Sequence, residues 1–312
     1  MDLVVLAGSG NLPLAESIAE RLGTRVSRSV LNRFPDTELH AKIDESVRGC
    51  DVYLIQPTGP PVDAHLMELL FLADACWRAG AARLTGIVPY FGYARQDRRA
   101  KGREAVGGRL IADMLNVAGF ERLVSVDLHT VSLEGFFNIP LEHLSAVSLL
   151  ANAIGEMVSH NSVVVAPDLG AVKIAEQYAE ILHCPIAIAH KTRFSGEEVK
   201  VHGIVGDVAG RVPVIVDDMI STGGTIEAAA NALLAAGCLP EITVVASHAL
   251  LVGPAIDRLS ALPLKRVVVT DSLPQRGYGS LPLQIVSIAP MLAETVARLD
   301  VGESMNDLLS HR

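Results

Sequence analysis

Apolar residues along this chain follow two alternating rhythms. Short runs rich in valine and isoleucine occupy Leu3–Ala7, Val52–Gln56, Leu84–Pro89, Leu123–Val126, Val163–Ala166, Ile186–Ala189, Val212–Val216, Ile242–Ala246 and Val267–Thr270. They are apolar on successive residues, which predicts parallel strands covered on both faces. Between them, a 3.6-residue period predicts amphipathic helices at 62–79, 105–118, 146–158, 169–182, 224–236 and 289–299. In the first of these, Leu66, Leu69, Leu70, Ala73 and Trp77 form one stripe, with Asp63, Asp74 and Arg78 pointing elsewhere. That pattern places Trp77 in the core rather than at a ligand.

Strand–helix alternation through two comparable halves predicts an α/β, doubly wound architecture. A weak boundary falls near Pro140–Ser145, and no short repeat or low-complexity segment interrupts the pattern. The 312 residues suffice for two domains, each with its own core. Ligands in such sheets bind at the carboxyl ends of strands, where loops lead into helices. Candidate chemistry is therefore sought at those ends.

Charge narrows the choice of partner. The chain carries 26 Lys and Arg against 35 Asp and Glu, a formal charge of −9. A general nucleic-acid or acidic-membrane surface is excluded on that balance, so an anion site must be a local basic patch. The cysteines Cys50, Cys76, Cys184 and Cys238 are scattered without metal-ligand spacing and read as small core residues of a reduced, cytoplasmic protein. The opening MDLVVLAGSGN reads as a strand and turn rather than a signal peptide. No apolar run approaches the roughly 20 residues that span a bilayer.

The most informative stretch is VDDMISTGGT, 216–225. Asp217 and Asp218 end an apolar run, and Ser221, Thr222, Gly223, Gly224 and Thr225 lead into a helical segment. Such a turn can wrap backbone amides and hydroxyls around a phosphate, aided by the helix N-terminus. The acids then face vicinal hydroxyls, which donate well to carboxylates. Phosphate on one side and diol on the other describe a sugar phosphate. A capped helix with solvated acids is the simpler reading, but it leaves so elaborate a turn unexplained.

Other stretches carry charge in unusual density. PYFGYARQDRRAKGRE, 89–104, sets Arg95, Arg98, Arg99, Lys101 and Arg103 against Asp97 and Glu104, a patch suited to a polyphosphate. Phe34, Phe91 and Tyr93 could offer faces to a base. His129 follows an apolar run, where a lone histidine is more often structural. Asp168 stands at a strand end before a helix, where a carboxylate can cap the helix and hold Mg²⁺. Lys191 and Arg193 alternate along an extended segment, and by pattern alone they are ordinary solvated cations.

The 216–225 stretch resembles the phosphoribosyl-diphosphate (PRPP) binding motif of the type I phosphoribosyltransferase fold. Taken with RFPDTE, ESVRG, PPVDAHLMELL, VPYFGYARQDR, VDLHT, GFFNIP and APDLGAV in the same order, it closely resembles the ribose-phosphate diphosphokinase (PRPP synthase) family along nearly the whole chain. That resemblance implies two tandem type I phosphoribosyltransferase-like domains, 1–143 and 144–289, each a mostly parallel sheet flanked by helices. It also implies that a segment 290–312 packs on the first. The implied reaction moves the β,γ-diphosphoryl group of Mg-ATP to the C1 hydroxyl of ribose 5-phosphate, giving PRPP and AMP for nucleotide, histidine and tryptophan biosynthesis.

By resemblance, Phe34, Asp36, Thr37, Glu38, Arg95, Gln96 and Asp97 bind ATP, the first loop reaching it from a neighbouring subunit of a homo-oligomer, a hexamer built from dimers. Asp217, Asp218, Ser221–Thr225 and Arg193 bind ribose 5-phosphate. Lys191, Arg193 and His129 are catalytic, and His129 and Asp168 hold Mg²⁺. Ser46, Arg48 and Arg103 lie in stretches that could form an anion site, with inorganic phosphate as activator. The chain departs from many relatives at Ser221, where an acid is common, at Leu169, where a small pair is common, and at Thr192, which interrupts a Lys-Arg-Arg run. A PRPP-consuming phosphoribosyltransferase and a non-catalytic regulatory homologue stay open as alternatives.

Overall fold

The valine-rich runs do form parallel strands, and they sort into two sheets. The computed structural model describes residues 2–193, 199–275 and 277–309, with 190–193 and 199–202 described in backbone only. The chain divides into two compact units, one of residues 1–145, 272–274 and 287–312, the other of 146–271 and 275–286.

In the first unit the elements run β1 Leu3–Ala7, α1 Leu12–Arg21, β2 Ser29–Arg33, β3 Leu39–Ile43, β4 Asp51–Ile55, α2 Val62–Arg78, β5 Arg83–Val88, α3 Gly107–Val117, β6 Arg122–Val126 and β7 Leu141–Leu144. A five-stranded sheet of order β1-β4-β5-β6-β7 is parallel throughout, and β2 and β3 pair as a separate antiparallel hairpin. Leu6, Leu54, Leu84 and Leu123 meet Leu66, Leu69 and Leu72 of α2 and Leu115 of α3 in one core. Each fully buried leucine there contributes about 1.5–3 kcal/mol. The unit closes with the chain's last described stretch, where Leu309 bridges Leu144 antiparallel.

In the second unit follow α4 Val147–Ile154, β8 Ser162–Ala166, α5 Val172–Leu182, β9 Ile186–Arg193, β10 Val199–Val205, β11 Val212–Ile220, α6 Gly224–Ala235, β12 Ile242–Ala249, α7 Ala255–Ser260, β13 Leu264–Thr270 and β14 Leu283–Val286, with α8 Ala289–Val301 returning to the first unit against α1. The sheet order is β10-β9-β8-β11-β12-β13-β14, parallel except for the β9–β10 pairing. Val163, Val165, Ile215, Val244 and Val267 share a core with Ile226, Ala230 and Leu233 of α6 and Leu259 of α7. α4 and α5 pack on each other and on the sheet. The fold is thus α/β, with two units each built on a mostly parallel sheet flanked by helices. Among the described residues no helix is long and apolar enough to cross a membrane.

Several elements depart from the sequence pattern. Trp77 is 63% exposed rather than core. The buried arc of α2 runs through Leu66, Leu69, Leu72, Ala73 and Cys76, rotated by roughly 60° from the stripe that the sequence pattern predicts. The ring of Trp77 instead takes the Arg78 guanidinium 5.6 Å from its centroid. Strands β2, β3, β7, β10 and β14 and helices α1 and α7 had no counterpart in the apolar runs and helical periods. β2 and β3 hold only half-buried and exposed residues, with no fully buried one, so they lack a continuous apolar signal.

Candidate functional site

Two neighbouring strands of the second unit bring three carboxylates to one sheet edge. β8 and β11 pair in parallel, Val165 opposite Ile215, so the loops after their carboxyl ends are adjacent. Asp168 follows β8 by two residues, and Asp217 and Asp218 lie near the end of β11. That strand continues four residues past the run that predicted it, because Asp217 and Met219 still pair with Ala246 and His248 of β12. The Asp218 amide donates to Asp217 Oδ1 at 3.0 Å. Although Asp217 keeps some surface in contact with solvent, the crowd of protein atoms around its carboxyl dominates its titration. Burial, then the charges of Asp218 and Asp168, push it well above the ordinary carboxylate value.

Such crowding is relieved by what donates hydrogen bonds or positive charge: sugar hydroxyls or a divalent cation. Mg²⁺ takes one or two carboxylates and completes its shell with substrate phosphates and water. The carboxylates gathered at this edge fit that chemistry, although among the described residues no three His, Cys, Asp or Glu side chains form a ready cage. Asp168 also has a structural task, since its Oδ1 accepts from the amides of Gly170 at 2.8 Å and Ala171 at 3.2 Å. It thereby caps the turn that leads into α5.

The turn after β11 takes the shape of an anion cradle. Gly223 has φ +75°, a conformation that disfavours any side chain, and the chain enters α6 at the next residue. Ser221 and Thr225 are half-buried, and Thr222 is exposed. Arg258, on α7, donates from Nη1 to the Thr222 carbonyl at 3.2 Å and pairs with Glu227 at 3.3 Å. Binding that carbonyl on the outside turns the following amide, Gly223 N–H, the opposite way, because the peptide is planar and trans. Arg258 was missed from sequence, and it had no signal there: an arginine in a short helix 33 residues beyond the turn resembles any surface cation.

The first unit carries the other candidates. In the hairpin loop between β2 and β3, Phe34, Asp36, Thr37 and Glu38 are all exposed. The loop is shaped by Arg33 Nη1 donating to the Thr37 carbonyl at 2.8 Å, by the Glu38 amide donating to Asp36 Oδ1 at 3.1 Å, and by a φ of +76° at Thr37. Thr37 and Glu38 line a groove with Asp63, Met67 and Phe71 of α2. The loop after β5 is pinned by Thr58, whose hydroxyl accepts from the Gly92 amide at 2.6 Å, and by Tyr93, whose hydroxyl donates to Asp63. Arg95 and Gln96 are exposed. Phe91, a candidate face for a base by sequence, is buried edge-on to Phe137 with centroids 5.5 Å apart and is a core residue.

Asp97 and His129 come together within this unit. The Arg98 guanidinium, at 2.5 Å, holds the Asp97 carboxyl below its ordinary range, and the charge of nearby His129 adds to the effect. His129 itself is exposed. Arg95, Arg98, Arg99, Lys101 and Arg103 are exposed too, in a loop stapled by Glu104, which accepts from the amides of Ala100 and Lys101 at 2.8 Å each. Lys191 and Arg193 form the end of β9, opposite Val201 and Val199 of β10. Their side chains lie outside the described residues.

Comparison with known proteins adds a second line of argument. Residues 3–119 match the family model "N-terminal domain of ribose phosphate pyrophosphokinase", and 194–310 match "phosphoribosyl synthetase-associated domain". The ribose-phosphate pyrophosphokinase of Caldanaerobacter subterraneus is 42% identical, over 99% of this chain and 98% of its own. The protein of that name from Aquifex aeolicus is 40% identical over 98% of both chains. A crystal structure of phosphoribosylpyrophosphate synthetase from Mycobacterium smegmatis superposes with a TM-score of 0.91 at 39% identity, covering 97% of this chain and all of that one.

Proposed function

The chain belongs to the ribose-phosphate pyrophosphokinase family, and from that premise we propose how its own residues carry out the family's reaction. The enzyme transfers the β,γ-diphosphoryl group of ATP to ribose 5-phosphate, giving PRPP and AMP. The C1 hydroxyl oxygen of the sugar bonds to the β-phosphorus, the bond from that phosphorus to the α,β-bridging oxygen breaks, and the hydroxyl proton is lost. Little covalent help is needed, so the protein's work is positioning and charge neutralisation.

The observation that carries this reading is the β11–α6 turn. A positive-φ glycine at the mouth of a helix and a crowded acid pair one strand-end away fit a 5-phosphate and a ribose diol respectively. Ser221–Thr225 hold the phosphate, while Asp217 and Asp218 accept from the sugar hydroxyls. Phe34, Asp36, Thr37 and Glu38 act at the ATP of a neighbouring copy in a homo-oligomer, a hexamer built from dimers. The exposure of that hairpin tip supports such a reach. Arg95, Gln96 and Asp97 bind ATP from within the chain.

Mg²⁺ is the accompanying cation, with Asp168 and His129 as its protein contacts, and it neutralises phosphate charge when bound. Lys191, Arg193 and His129 stabilise charge that develops on the transferred group, Arg193 also reaching the sugar phosphate. The enzyme works in the cytoplasm, and inorganic phosphate is a candidate activator, with Ser46, Arg48 and Arg103 in stretches that could hold an anion.

The test is an assay with Mg-ATP and ribose 5-phosphate that follows AMP and PRPP together, beside a Lys191→Ala variant. Equal amounts of AMP and PRPP, with turnover falling at least about 10²-fold in the variant, are expected. Formation of ADP would overturn attack at the β-phosphorus. Tight binding of both substrates without turnover would make the chain a non-catalytic homologue.

A further inference from the structure

A buried imidazole holds the turn that carries the exposed one. His143 lies on β7, 4% exposed, opposite Ser125 in the parallel pairing of β6 and β7. Its Nε2 accepts from the Leu128 amide at 2.8 Å, and its Nδ1 lies 2.8 Å from Glu134 Oε1. A backbone N–H can only donate, so Nε2 carries no proton, and the ring hydrogen sits on Nδ1 and donates to Glu134. Both nitrogens are thereby engaged, which a buried imidazole requires.

What His143 holds is a turn that the backbone does not favour. β6 ends at Val126, and Asp127 then adopts φ +38°, a left-handed conformation unusual for a residue with a side chain. Two successive amides fix that turn against β7. The Asp127 amide donates to the Leu144 carbonyl at 2.9 Å, and the Leu128 amide donates to His143. The next residue is His129. Glu134 belongs to the short helical turn Val131–Phe136, whose start is capped by the Thr130 hydroxyl accepting from the Ser132 amide at 3.3 Å. The 127–130 segment is thus held from β7 on one side and from the following turn on the other.

We infer that His143, set in one tautomer by Glu134, is a positioning residue for His129: its Nε2 holds the strained 127–129 turn in the backbone conformation that presents the His129 side chain to the site. An apolar residue would fill the space behind the turn equally well, but it would leave the Leu128 amide without its acceptor, and Leu128 is itself buried. The turn would then relax away from φ +38° at Asp127 and carry His129 with it. This inference rests on the role proposed for His129 at the ATP phosphates.

Full-length parent, His143→Leu, His143→Gln and His129→Ala proteins separate the claims. Each is measured for kcat, for KM of both substrates, for Mg-ATP affinity by calorimetry, and for amide exchange across 127–129. His143→Leu should lose roughly 10- to 100-fold in kcat/KM for Mg-ATP, leave KM for ribose 5-phosphate within about twofold, and speed exchange at Leu128. His143→Gln should recover most of this, since its Oε1 can accept the same amide. Equal losses in the two variants, or a KM for ribose 5-phosphate that rises as much as that for Mg-ATP, would overturn the positioning role. Should His143→Leu fail to fold, Glu134→Leu carries the same comparison, because it frees the ring to turn over. A fully active His129→Ala would overturn the role given to His129 and the purpose of His143 with it. Loss in His129→Ala beside parent kinetics in His143→Leu would overturn the positioning role alone.

Discussion

Asp168 caps the turn into α5 and is proposed to bind cation or sugar phosphate as well, and a pair of substitutions pulls the two roles apart. As a cap it accepts two amides, at 2.8 and 3.2 Å, from a residue with extended backbone, φ −161° and ψ 178°. Asp168→Ala removes that acceptor and should cost about 1 kcal/mol, or about 2–4 °C in Tm. Asp168→Asn keeps an acceptor oxygen in place, since asparagine caps as well as aspartate. It loses the favourable charge at the helix start, a few tenths of a kcal/mol, but it also removes one of the charges that burden Asp217. Its stability should stay within about 0.5 kcal/mol of the parent. As a ligand for cation or sugar phosphate, by contrast, the carboxylate matters through its charge. Both variants should then lose about 10²-fold or more in kcat/KM, on the order of 2.7 kcal/mol. Thermal melts by circular dichroism read the first quantity, and initial rates of AMP formation read the second. An Asp168→Asn enzyme with parent rates, beside an Asp168→Ala enzyme impaired only as far as it is destabilised, would show that Asp168 is a cap and nothing more.

Three further outcomes follow from the same geometry. Folding raises the pKa of Asp217 above its ordinary 3.8, so the ionised carboxylate lowers stability at neutral pH, and the parent regains that stability as pH falls toward 3.8. Asp217→Asn should therefore raise Tm at neutral pH while abolishing turnover, with the advantage shrinking in acid; a pH-independent gain would refute burial and crowded charge as the cause. Ser125 Oγ is buried with no hydrogen-bond partner among the described residues, so Ser125→Ala should stabilise by about 1 kcal/mol in urea titrations, and a loss of stability would show a partner the geometry lacks. A Cβ on Gly107 would lie 2.5 Å from Gln96 Oε1, the far end of a movable side chain, and 3.1 Å from Tyr93 Cδ1, which must give by a few tenths of an ångström. Gly107→Ala should leave Tm nearly unchanged and raise KM for ATP roughly fivefold, the worth of one hydrogen bond; an unchanged KM would remove Gln96 from the ATP site.

Local pattern went far in this chain because its chemistry sits in contiguous stretches. The buried strands were legible as runs of valine and isoleucine, since a parallel strand covered on both faces has no polar alternation to obscure it. The phosphate turn was legible because Gly223, the hydroxyls and the acids follow one another within the single stretch 216–225. The hairpin of β2 and β3 was hidden because none of its residues is fully buried, and the orientation of α2 was misjudged by less than a fifth of a turn, enough to put Trp77 in water and Cys76 in the core.

Sequence alone therefore determined the α/β class, the strands that carry the candidate site and the loops proposed to face phosphate, each of which is set by residues adjacent along the chain. Only tertiary structure decided what depends on residues far apart in it. Arg258 reaches Thr222 across 36 positions, Asp168 loads its charge onto Asp217, and His143 holds the amide of Leu128 from the neighbouring strand. The physical reason is common to all three: a hydrogen bond or an electric field acts over a few ångströms of space, and no spacing along a chain records which distant residues the packing of a core will bring that close.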